Sequence, residues 1–474
     1  MARLSSRLEQ LNVSARALRQ EWQYLRDVYL PVRDPRSIWR LSRKHRRDDP
    51  SQGWKIHVSA TILSACSIFR LVAPYLRRRG IMFKAPRSLA ELHKLNTGID
   101  YGFSQIGKFI TIYPPSTDMA VVIASDLHRL TANFRGPVVP YDNRLRNNSC
   151  VYYRYGGFSK STIMFRGKEV EAIARPDGKF VQDRREPRTA VPSWLVDPFN
   201  PPPLLRRTLG PLETNYRNYR ALTQRGRGGV YYALDISSDR ARPSIIKEGR
   251  RHGETDLLGR DGFDLIKQEA RFLGSNAGKV AGLPRVITTF RADNCFYLVM
   301  EYIPGRTLQQ MLAGQAWMSF RRLLTYGLNV ARIIAEIHDA GWAWLDCKPG
   351  NFLCQAGGKL RPVDFEGARR LRSLDLWPLR TTGYFRPEWK TRPPAPEQAD
   401  LYMLGVSLAQ LMTRTPSVAK VATTFARKAK KTGLPPQLVQ TIQSLLSSRS
   451  HARPSARAVH RFLKQLLSDH RESR

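Results

Sequence analysis

The sequence predicts a multidomain protein of the α+β class, and three observations support this prediction. The chain has 474 residues, which is more than one ordinary hydrophobic core holds. A Pro-rich segment at residues 197–203 interrupts all periodicity near the middle of the chain, as an interdomain linker does. After this segment the pattern is first strand-rich and then strongly helical from about residue 308 onward. We therefore expect a domain boundary at about 195–215.

The N-terminal half divides into a helix and a mixed region. Apolar residues recur at helical spacing within residues 1–40, which predicts an amphipathic helix; they are Leu4, Leu8, Leu11, Leu18, Trp22 and Leu25. Short β-rich runs at 109–113 and 149–153 predict an α/β domain over 41–200. Residues 201–214 are then a Pro-rich linker, and residues 215–470 form the second domain.

Net charge and composition limit the classes of function. The chain carries 78 Lys+Arg against 39 Asp+Glu, a formal charge of +39, which favours polyanionic ligands such as nucleotides, anionic lipids or acidic peptides. No nucleic-acid-binding motif accompanies this charge, so we expect no specific nucleic acid partner. No apolar run approaches the ~20 residues of a membrane span, and the five cysteines are scattered, so we expect neither a membrane span nor a zinc site. A cytoplasmic enzyme is the default expectation.

The start of the second domain has features of a nucleotide site. Gly226, Gly228 and Gly229 precede a β-rich run and would let backbone N–H groups approach a triphosphate. Lys247 ends a β-branched strand and Glu269 lies in a helical stretch, which suits a phosphate-binding lysine and its glutamate partner. Each feature by itself is more often a turn or a surface charge.

An apolar run follows at residues 296–300. It predicts a buried strand that leads into a nucleotide-binding hinge at Glu301 and Tyr302.

The spacing Asp-x-Lys-x-x-Asn at Asp346, Lys348 and Asn351 decides between these interpretations. In a catalytic loop the Asp orients the substrate hydroxyl, the Lys neutralises the transferring phosphoryl group and the Asn binds a metal. Asp364, in Val-Asp-Phe-Glu, supplies a second metal ligand, and residues 383–388 stand where an activation segment closes. This ordered series resembles the protein kinases. The resemblance implies a bilobal fold, ATP and Mg²⁺ as cofactors, and phosphorylation of Ser or Thr.

Two departures from the kinase pattern concern regulation. Trp344 and Leu345 replace the His-Arg pair that precedes the catalytic Asp, and Arg is the residue that usually pairs with a phosphorylated activation loop. Glu366 replaces the Gly of Asp-Phe-Gly, where many kinases change conformation. We therefore expect a site that is assembled without phosphorylation of the activation loop.

The N-terminal half contains a group of basic residues. Lys55 and His57 are two apart on a predicted strand, so both side chains lie on one face. Lys84, Lys108 and Arg154 occur in other short segments. Each by itself is more often a residue of a solvated strand face. Together they could form a cationic pocket that holds a phosphomonoester and removes a proton from the adjacent carbon.

The motif Lys-x-His followed by a later lysine resembles the phosphothreonine lyases. The longer strings at 53–55, 101–109 and 153–156 resemble the N-terminal domain of class III/IV lanthipeptide synthetases, whose domain order is lyase, kinase, cyclase. The resemblance covers nearly the whole chain. No segment is left after the kinase-like domain for a cyclase, so we do not expect ring closure from this chain; a separate cyclase, spontaneous addition and a merely dehydrated product stay open.

The resemblance also implies roles for the basic residues. Lys84 is the candidate base, Lys55 would stabilise the enolate oxygen, and His57 would protonate the departing phosphate. Lys108 and Arg154 would bind that phosphate. The implied substrate is a Ser/Thr-containing precursor peptide, and an acidic leader would complement the positive charge. The alternatives are a Ser/Thr protein kinase with a non-catalytic, peptide-binding N-terminal domain, and a scaffolding or nucleic-acid-associated protein suggested only by the charge.

Overall fold

The computed structural model describes residues 2–187, 189–200, 210–314, 318–373, 381, 383–385, 389, 394–419 and 421–472. The described helices are α1 (Ala2–Tyr29), α2 (Ala65–Arg78), α3 (Leu89–Thr97), α4 (Thr117–Leu130), α5 (Pro211–Asn215), α6 (Gly262–Asn276), α7 (Leu308–Ala313), α8 (Phe320–Asp339), α9 (Pro396–Met412), α10 (Val421–Thr432), α11 (Pro436–Leu445) and α12 (Ala456–Glu472). Within the described ranges, no helix is long and apolar enough to span a membrane.

The described strands belong to both halves of the chain. Those of the first half are β1 (Val32–Arg33), β2 (Trp39–Leu41), β3 (Gln52–Val58), β4 (Met82–Pro86), β5 (Ile110–Tyr113), β6 (Asn143–Arg144), β7 (Val151–Gly157), β8 (Thr162–Phe165), β9 (Lys168–Ala174) and β10 (Phe180–Gln182). Those of the second half are β11 (Tyr216–Arg225), β12 (Gly228–Asp235), β13 (Arg242–Arg250), β14 (Val286–Ala292), β15 (Cys295–Glu301), β16 (Trp342–Ala343), β17 (Phe352–Cys354), β18 (Leu360–Pro362) and β19 (Arg369–Arg370).

The first domain is built on an antiparallel sheet of order β1-β2-β4-β5-β3-β7-β6. Successive residues of a strand point to opposite faces, and β3 divides its residues accordingly. Trp54, Ile56 and Val58 enter a hydrophobic core shared with α1, α2 and α4, whereas Lys55 and His57 belong to the other face. The small sheet β10-β9-β8 follows the last long strand of this domain. Amphipathic alternation therefore leaves a polar face on which a site can form.

The N-terminal helix is shorter than predicted. It ends at Tyr29, and the residues up to Leu41 form β1 and β2 at the edge of the sheet. Pro31 explains this end, because the residue before a proline is disfavoured in the α conformation and proline itself donates no helical hydrogen bond. The predicted helix over residues 1–40 is therefore wrong in extent, although the helix itself is present.

The end of the first domain lies within the Pro-rich segment. Phe199 is buried and stacks on Tyr153 with ring centroids 4.0 Å apart, and the Tyr153 hydroxyl donates to Asp197 at 2.7 Å. Residues up to 200 thus belong to the first domain. Most of the predicted linker, residues 201–209, lies outside the described residues, and the short helix α5 precedes the second domain.

The second domain has two lobes. The first lobe is an antiparallel sheet of order β11-β12-β13-β15-β14, against which α6 packs. The second lobe is largely helical, and the buried α9 lies at its centre, next to α8, α10 and α11. Residues 386–388 of the predicted activation-segment motif lie outside the described residues. This architecture confirms the α+β, multidomain prediction.

The two domains meet at the turn between β11 and β12. The Gly226 backbone N–H donates to the Thr97 carbonyl oxygen at 2.9 Å. A Cβ at position 226 would lie only 1.7 Å from the Asn96 carbonyl oxygen, so glycine is required by this close approach. The glycine-rich turn is therefore part of the contact between domains.

We predict that Trp22 anchors α1 to the first domain. Its ring is 1% exposed and lies 5.0 Å from the Phe69 centroid and 5.4 Å from that of Phe109. The substitution Trp22→Ala should lower the free energy of unfolding of this domain by about 3–5 kcal/mol, because it leaves a cavity in the core. Tyr24, which is 69% exposed on the same helix, is the matched control, and Tyr24→Ala should cost about 0.5 kcal/mol or less. Equal losses in denaturant unfolding would contradict the packing described here.

Candidate active sites

A cavity of about 410 Å³ lies between the two lobes of the second domain. The predicted nucleotide residues Gly228, Gly229, Lys247, Glu301 and Tyr302 line it, as do the predicted metal ligands Asn351 and Asp364. Gly226 differs from the prediction, because it faces the first domain. The turn needs glycine there for the domain contact and not for a nucleotide.

Lys247 is the centre of a buried ion network. Its Nζ lies 2.8 and 2.9 Å from the Glu269 carboxylate and 2.9 Å from Asp364 Oδ1. Burial lowers the pKa of this lysine, but the carboxylates of Asp364 and Glu269 outweigh burial and raise it, so Lys247 stays charged. Glu269 Oε1 also accepts the Phe365 backbone N–H at 3.0 Å. The predicted lysine–glutamate pair is thus formed, and it holds the segment after Asp364.

Three aromatic rings support this network. Phe365 stacks on Phe272 with centroids 4.6 Å apart and on Trp344 with centroids 4.9 Å apart. The Trp344 indole N–H donates to the Asp364 carbonyl oxygen at 2.7 Å. Trp344, which replaces a histidine of the kinase pattern, therefore connects the catalytic loop to the metal-ligand segment.

The catalytic loop has a strained backbone that a buried carboxylate holds. Leu345 has φ of 63°, a left-handed conformation that is unfavourable for a leucine. Asp400 accepts the backbone N–H groups of Trp344 at 2.7 Å and Leu345 at 2.6 Å. The loop is thus fixed in its conformation by a carboxylate from α9, and no phosphorylated residue is needed for that contact.

Asp346 lies at the centre of the catalytic loop. Its carboxylate accepts from Lys348 Nζ at 2.7 Å and from Asn351 Nδ2 at 2.8 Å. Sequence reasoning missed Thr381, whose hydroxyl donates to Asp346 at 2.8 Å and accepts from Lys348 at 3.0 Å. A threonine hydroxyl thus already lies between the two groups predicted to act on a substrate hydroxyl. The signal that could have indicated it is its place just before the predicted activation-segment motif.

The residues present fit a hard divalent cation such as Mg²⁺. Glu269, Asp364 and Glu366 offer carboxylate oxygens that all lie within 4.8 Å of one another. The buried Glu366 Oε2 accepts no hydrogen bond from the described residues, although Arg227 lies 3.1 Å away. Oxygen donors of this kind are the ligands that Mg²⁺ prefers. Glu269 is already paired with Lys247, so Asp364 would hold the ion together with Asn351, which lines the same cavity.

The first domain brings its basic residues together on the polar face of the large sheet. In the strand register His57 lies opposite Thr111, which lies opposite Lys84. Lys55 lies opposite Arg154 in the neighbouring pair of strands. Residues that are directly opposite in a sheet project to the same face, so four strands, β3, β4, β5 and β7, contribute to one cluster. The structure therefore brings Lys55, His57, Lys84 and Arg154 together on one face of the sheet.

Two lysines of this cluster, Lys55 and Lys84, lose their proton more readily than an ordinary lysine. Burial lowers the pKa of Lys55 to about 7; the Asp183 carboxylate opposes this effect, and the nearby charges of Arg154 and Lys84 add to it. Burial lowers the pKa of Lys84 to about 8, with a further contribution from Arg185. A lysine with such a pKa is partly neutral near pH 7–8 and can accept a proton.

His57 is oriented by a residue that the sequence did not reveal. Its Nδ1 lies 2.5 Å from the buried Asp142 carboxylate, which also lies 3.4 Å from Lys108 Nζ. Burial lowers the pKa of His57 to about 4; Asp142 opposes this effect, whereas Lys108 and Lys55 add to it. The imidazole is thus neutral in the free protein, with Nδ1–H held by Asp142. A bound phosphate dianion would raise this pKa and favour the proton-donating form.

The predicted phosphate ligands are not free cations. Arg154 Nη2 lies 2.5 Å from Asp183 and donates to the Arg184 carbonyl oxygen at 2.8 Å, and Lys108 pairs with Asp142. Both side chains lie near the other basic residues, but sequence reasoning missed their carboxylate partners. Asp142 and Asp183 lie in irregular segments without periodicity, so the sequence offers no signal for them.

Comparisons with known proteins show which family the chain belongs to. The family model described as "Protein kinase domain" matches residues 235–474, half of the chain. The chain belongs to the protein kinase family. The model described as "RamC, N-terminal domain" matches residues 29–209 of this kinase. The resemblance to lanthipeptide synthetases that the sequence predicts is thereby confirmed.

Individual relatives of the kinase fall into two groups. The "Probable SapB synthase" of Streptomyces coelicolor is 30% identical over 369 residues, which cover 74% of this chain and 39% of that protein. "Serine/threonine-protein kinase B" of Synechocystis sp. is 25% identical over 219 residues, 43% of this chain and 38% of that protein. "Serine/threonine-protein kinase PrkC" of Bacillus subtilis is 24% identical over 245 residues, 49% of this chain and 36% of that protein. The chain thus spans two fifths or less of these relatives.

The assembled catalytic loop predicts an activity that does not depend on phosphorylation of the kinase itself. Leu345 stands where a phosphate-sensing arginine would be, and Asp400 already holds the loop. Phosphatase-treated protein, shown by mass spectrometry to carry no phosphate, should phosphorylate an acceptor peptide as fast as untreated protein. A large loss that autophosphorylation restores would contradict this reasoning.

The pKa of Lys84 predicts a pH profile for the first domain. To remove a proton from a phosphothreonine peptide, a Lys84 base must be neutral, and the pKa of this lysine is about 8. Its deprotonated fraction grows about tenfold per pH unit below pH 8, so exchange of the peptide's Cα proton with deuterated solvent, which needs the base but not the proton donor of the leaving group, should accelerate in the same way and level off above pH 8. Mass spectrometry of a synthetic phosphothreonine peptide incubated without ATP measures this profile. A rate that falls between pH 6 and pH 8 would argue against a lysine base.

Proposed function

We propose that this kinase dehydrates Ser and Thr residues of a precursor peptide in two steps. The kinase domain phosphorylates the hydroxyl, and the RamC-type domain then eliminates the phosphate to leave dehydroalanine or dehydrobutyrine. The observation that carries the proposal is the row of Lys84, Thr111 and His57 across three strands, with Lys55 beside it, on the polar face of one sheet. Hydroxide leaves poorly at neutral pH, whereas phosphate leaves readily, which explains why one chain would hold both activities.

The first step is a phosphoryl transfer to the substrate hydroxyl. Asp346 orients that hydroxyl and takes its proton while the oxygen forms a bond to the γ-phosphorus of ATP. The bond between that phosphorus and the bridging oxygen breaks, and ADP leaves. Lys348, 2.7 Å from Asp346, neutralises charge on the transferring group, and Lys247 holds the phosphates that remain on ADP. Mg²⁺, when bound, neutralises further phosphate charge.

The second step is a β-elimination. A neutral lysine removes the Cα proton, its electron pair forms the Cα=Cβ double bond, and the Cβ–O bond to phosphate breaks. Lys55 in its protonated form stabilises the negative charge that develops on the adjacent carbonyl oxygen. The bound phosphate dianion raises the pKa of His57, which then takes up a second proton on its other nitrogen while Nδ1 stays held by Asp142, and this second proton is transferred to the leaving phosphate.

The assignment of Lys84 as the base follows the resemblance to phosphothreonine lyases. The pKa of Lys55, about 7, is lower than the value of about 8 for Lys84, so Lys55 is the second candidate for the base. Exchange of the Cα proton with deuterated solvent separates the two assignments. The variant that lacks the base should show no exchange, whereas the variant that lacks only the enolate partner should retain slow exchange.

The alternative function is a Ser/Thr protein kinase whose N-terminal domain only binds peptide. Relatives named as serine/threonine kinases support it, but their matches extend over 43% and 49% of the chain. The match to the probable SapB synthase extends over 74% of the chain. This length is greater than that of the second domain, so the match includes part of the first domain. The half-buried Lys55 and Lys84, with their lowered pKa values, also favour chemistry in the first domain.

The partners and location follow from the same proposal. A precursor peptide is the expected substrate, and the net charge of +39 suits an acidic leader segment. A separate cyclase would be a partner if thioether rings are formed. The cytoplasmic location stays a prediction.

Two variants should show which domain carries out phosphorylation and which carries out elimination. Lys84→Ala should phosphorylate a Ser/Thr/Cys-containing peptide encoded in a neighbouring reading frame but accumulate phosphopeptide, because proton abstraction is lost. Asp346→Asn should form no phosphopeptide and yet eliminate phosphate from a pre-phosphorylated peptide. A mixture of both variants should yield dehydrated peptide, which mass spectrometry detects as loss of water per site.

The exposed Lys160 gives the control, and Lys160→Ala should behave as wild type. If wild-type protein itself stops at the phosphopeptide, the elimination step is refuted and the alternative kinase function is supported. If Asp346→Asn still dehydrates an unphosphorylated peptide, the catalytic loop is wrongly assigned.

A further inference from the structure

The turn between β11 and β12 presents an arginine, Arg227, that the reaction described above does not use. The backbone of this turn is held on two sides. The Arg227 carbonyl oxygen accepts the Arg250 N–H at 2.8 Å and lies so close to Gly262 that a Cβ there would approach it to 1.8 Å. On the other side Gly226 donates to Thr97 of the first domain. These contacts fix the backbone from which the Arg227 side chain extends.

The side chain of Arg227 extends into the cleft between the lobes. Its Nη1 lies 3.1 Å from Glu366 Oε2, and the side chain is only 22% exposed. Arg227 lines the same cavity as Lys247, Asn351 and Asp364. The guanidinium therefore lies among the residues that are assigned to phosphate and metal binding, and not on the outer surface of the turn.

Its electrostatic surroundings agree with this position. Burial by itself would lower the pKa of Arg227, but the carboxylates of Glu366 and, to a smaller extent, Glu254 raise it above its usual value. Asp364 and Asp346 contribute in the same direction. The charges of Asp364, a predicted metal ligand, and of Asp346, which would orient the substrate hydroxyl, therefore both act on the guanidinium.

Glu366 explains why this charge is stable in the cleft before nucleotide binds. It replaces the glycine of Asp-Phe-Gly, and its carboxylate is the group to which the guanidinium is paired. A phosphate group that carries two or more negative charges is a stronger partner than one carboxylate, and a guanidinium fork matches its oxygens. Binding of ATP would therefore transfer the guanidinium from Glu366 to the terminal phosphate.

We propose that Arg227 is a catalytic residue of the phosphoryl transfer and binds the oxygens of the transferring γ-phosphoryl group. In this step the bond from the γ-phosphorus to the bridging oxygen of ATP breaks and the bond to the substrate oxygen forms, while Asp346 takes the hydroxyl proton and ADP leaves. Arg227 neither donates nor accepts a proton. It stabilises the negative charge on the oxygens of the γ-phosphoryl group while that group is transferred. The proposal rests on the phosphorylation step of the proposed function and not on the elimination step.

The test measures phosphoryl transfer with the full chain, Mg-ATP and the precursor peptide, as the sum of phosphorylated and dehydrated product. Arg227→Ala should lower kcat by about 100-fold or more, because a charge-stabilising donor is lost. Arg227→Lys should lie between Ala and wild type, since it keeps the charge without the fork. Guanidinium chloride, at a concentration that does not unfold the protein, should partly restore kcat in Arg227→Ala only.

Arg220, an exposed arginine on β11 of the same hairpin, is the matched control, and Arg220→Ala should keep the wild-type kcat. Elimination from a pre-phosphorylated peptide should be unchanged in Arg227→Ala. A kcat within about threefold of wild type overturns the proposal. A loss that guanidinium does not restore, together with an equal loss of elimination, also overturns it and gives Arg227 a structural role between the domains. Failure of elimination in wild-type protein would refute the lyase step but leave this test valid, because phosphopeptide is counted.

Discussion

The buried ion network of Lys247, Glu269 and Asp364 is the interaction on which the kinase domain depends. Its members come from β13, from α6 and from the segment after β18, and contacts of 2.8–2.9 Å bring them together between the lobes. Removal of Lys247 would leave both carboxylates without their shared cation, and an uncompensated buried charge typically costs about 3–5 kcal/mol. The network therefore requires α6, the sheet and the catalytic segment to take one relative arrangement, and the aromatic stack at Phe365 fills the space behind it.

The first domain meets the same constraint in another way. Its sheet directs apolar residues into the core and basic residues to the opposite face. A basic side chain that is removed from water needs either a carboxylate partner or a lowered pKa, which lets it lose its proton. Arg154 and Lys108 pair with the carboxylates of Asp183 and Asp142, although burial still lowers the pKa of Lys108. The pKa values of the half-buried Lys55 and Lys84 are lowered to about 7 and about 8. The same physics that limits buried charge thus produces two candidate bases.

The glycine-rich turn connects the two domains. Gly226 contacts the first domain, Arg227 points into the nucleotide cleft, and glycine is required at 226 because a side chain would collide with Asn96. The contact continues into the first domain, because the Asn96 side chain accepts the Gly107 N–H at 3.2 Å. Gly107 directly precedes Lys108, so a short chain of hydrogen bonds separates the kinase turn from the basic cluster of the first domain.

The sequence by itself determined the features that depend on local spacing. Alternation on one strand placed Lys55 and His57 on one face, and the interval from Asp346 to Asn351 identified the catalytic loop. Only the tertiary structure revealed Asp142, which lies 85 residues from His57, and the positions of Thr381 and Arg227. These residues lie in loops and turns that have no periodicity, and their partners come from other elements. Their roles depend on the packing of distant segments, which no local pattern encodes.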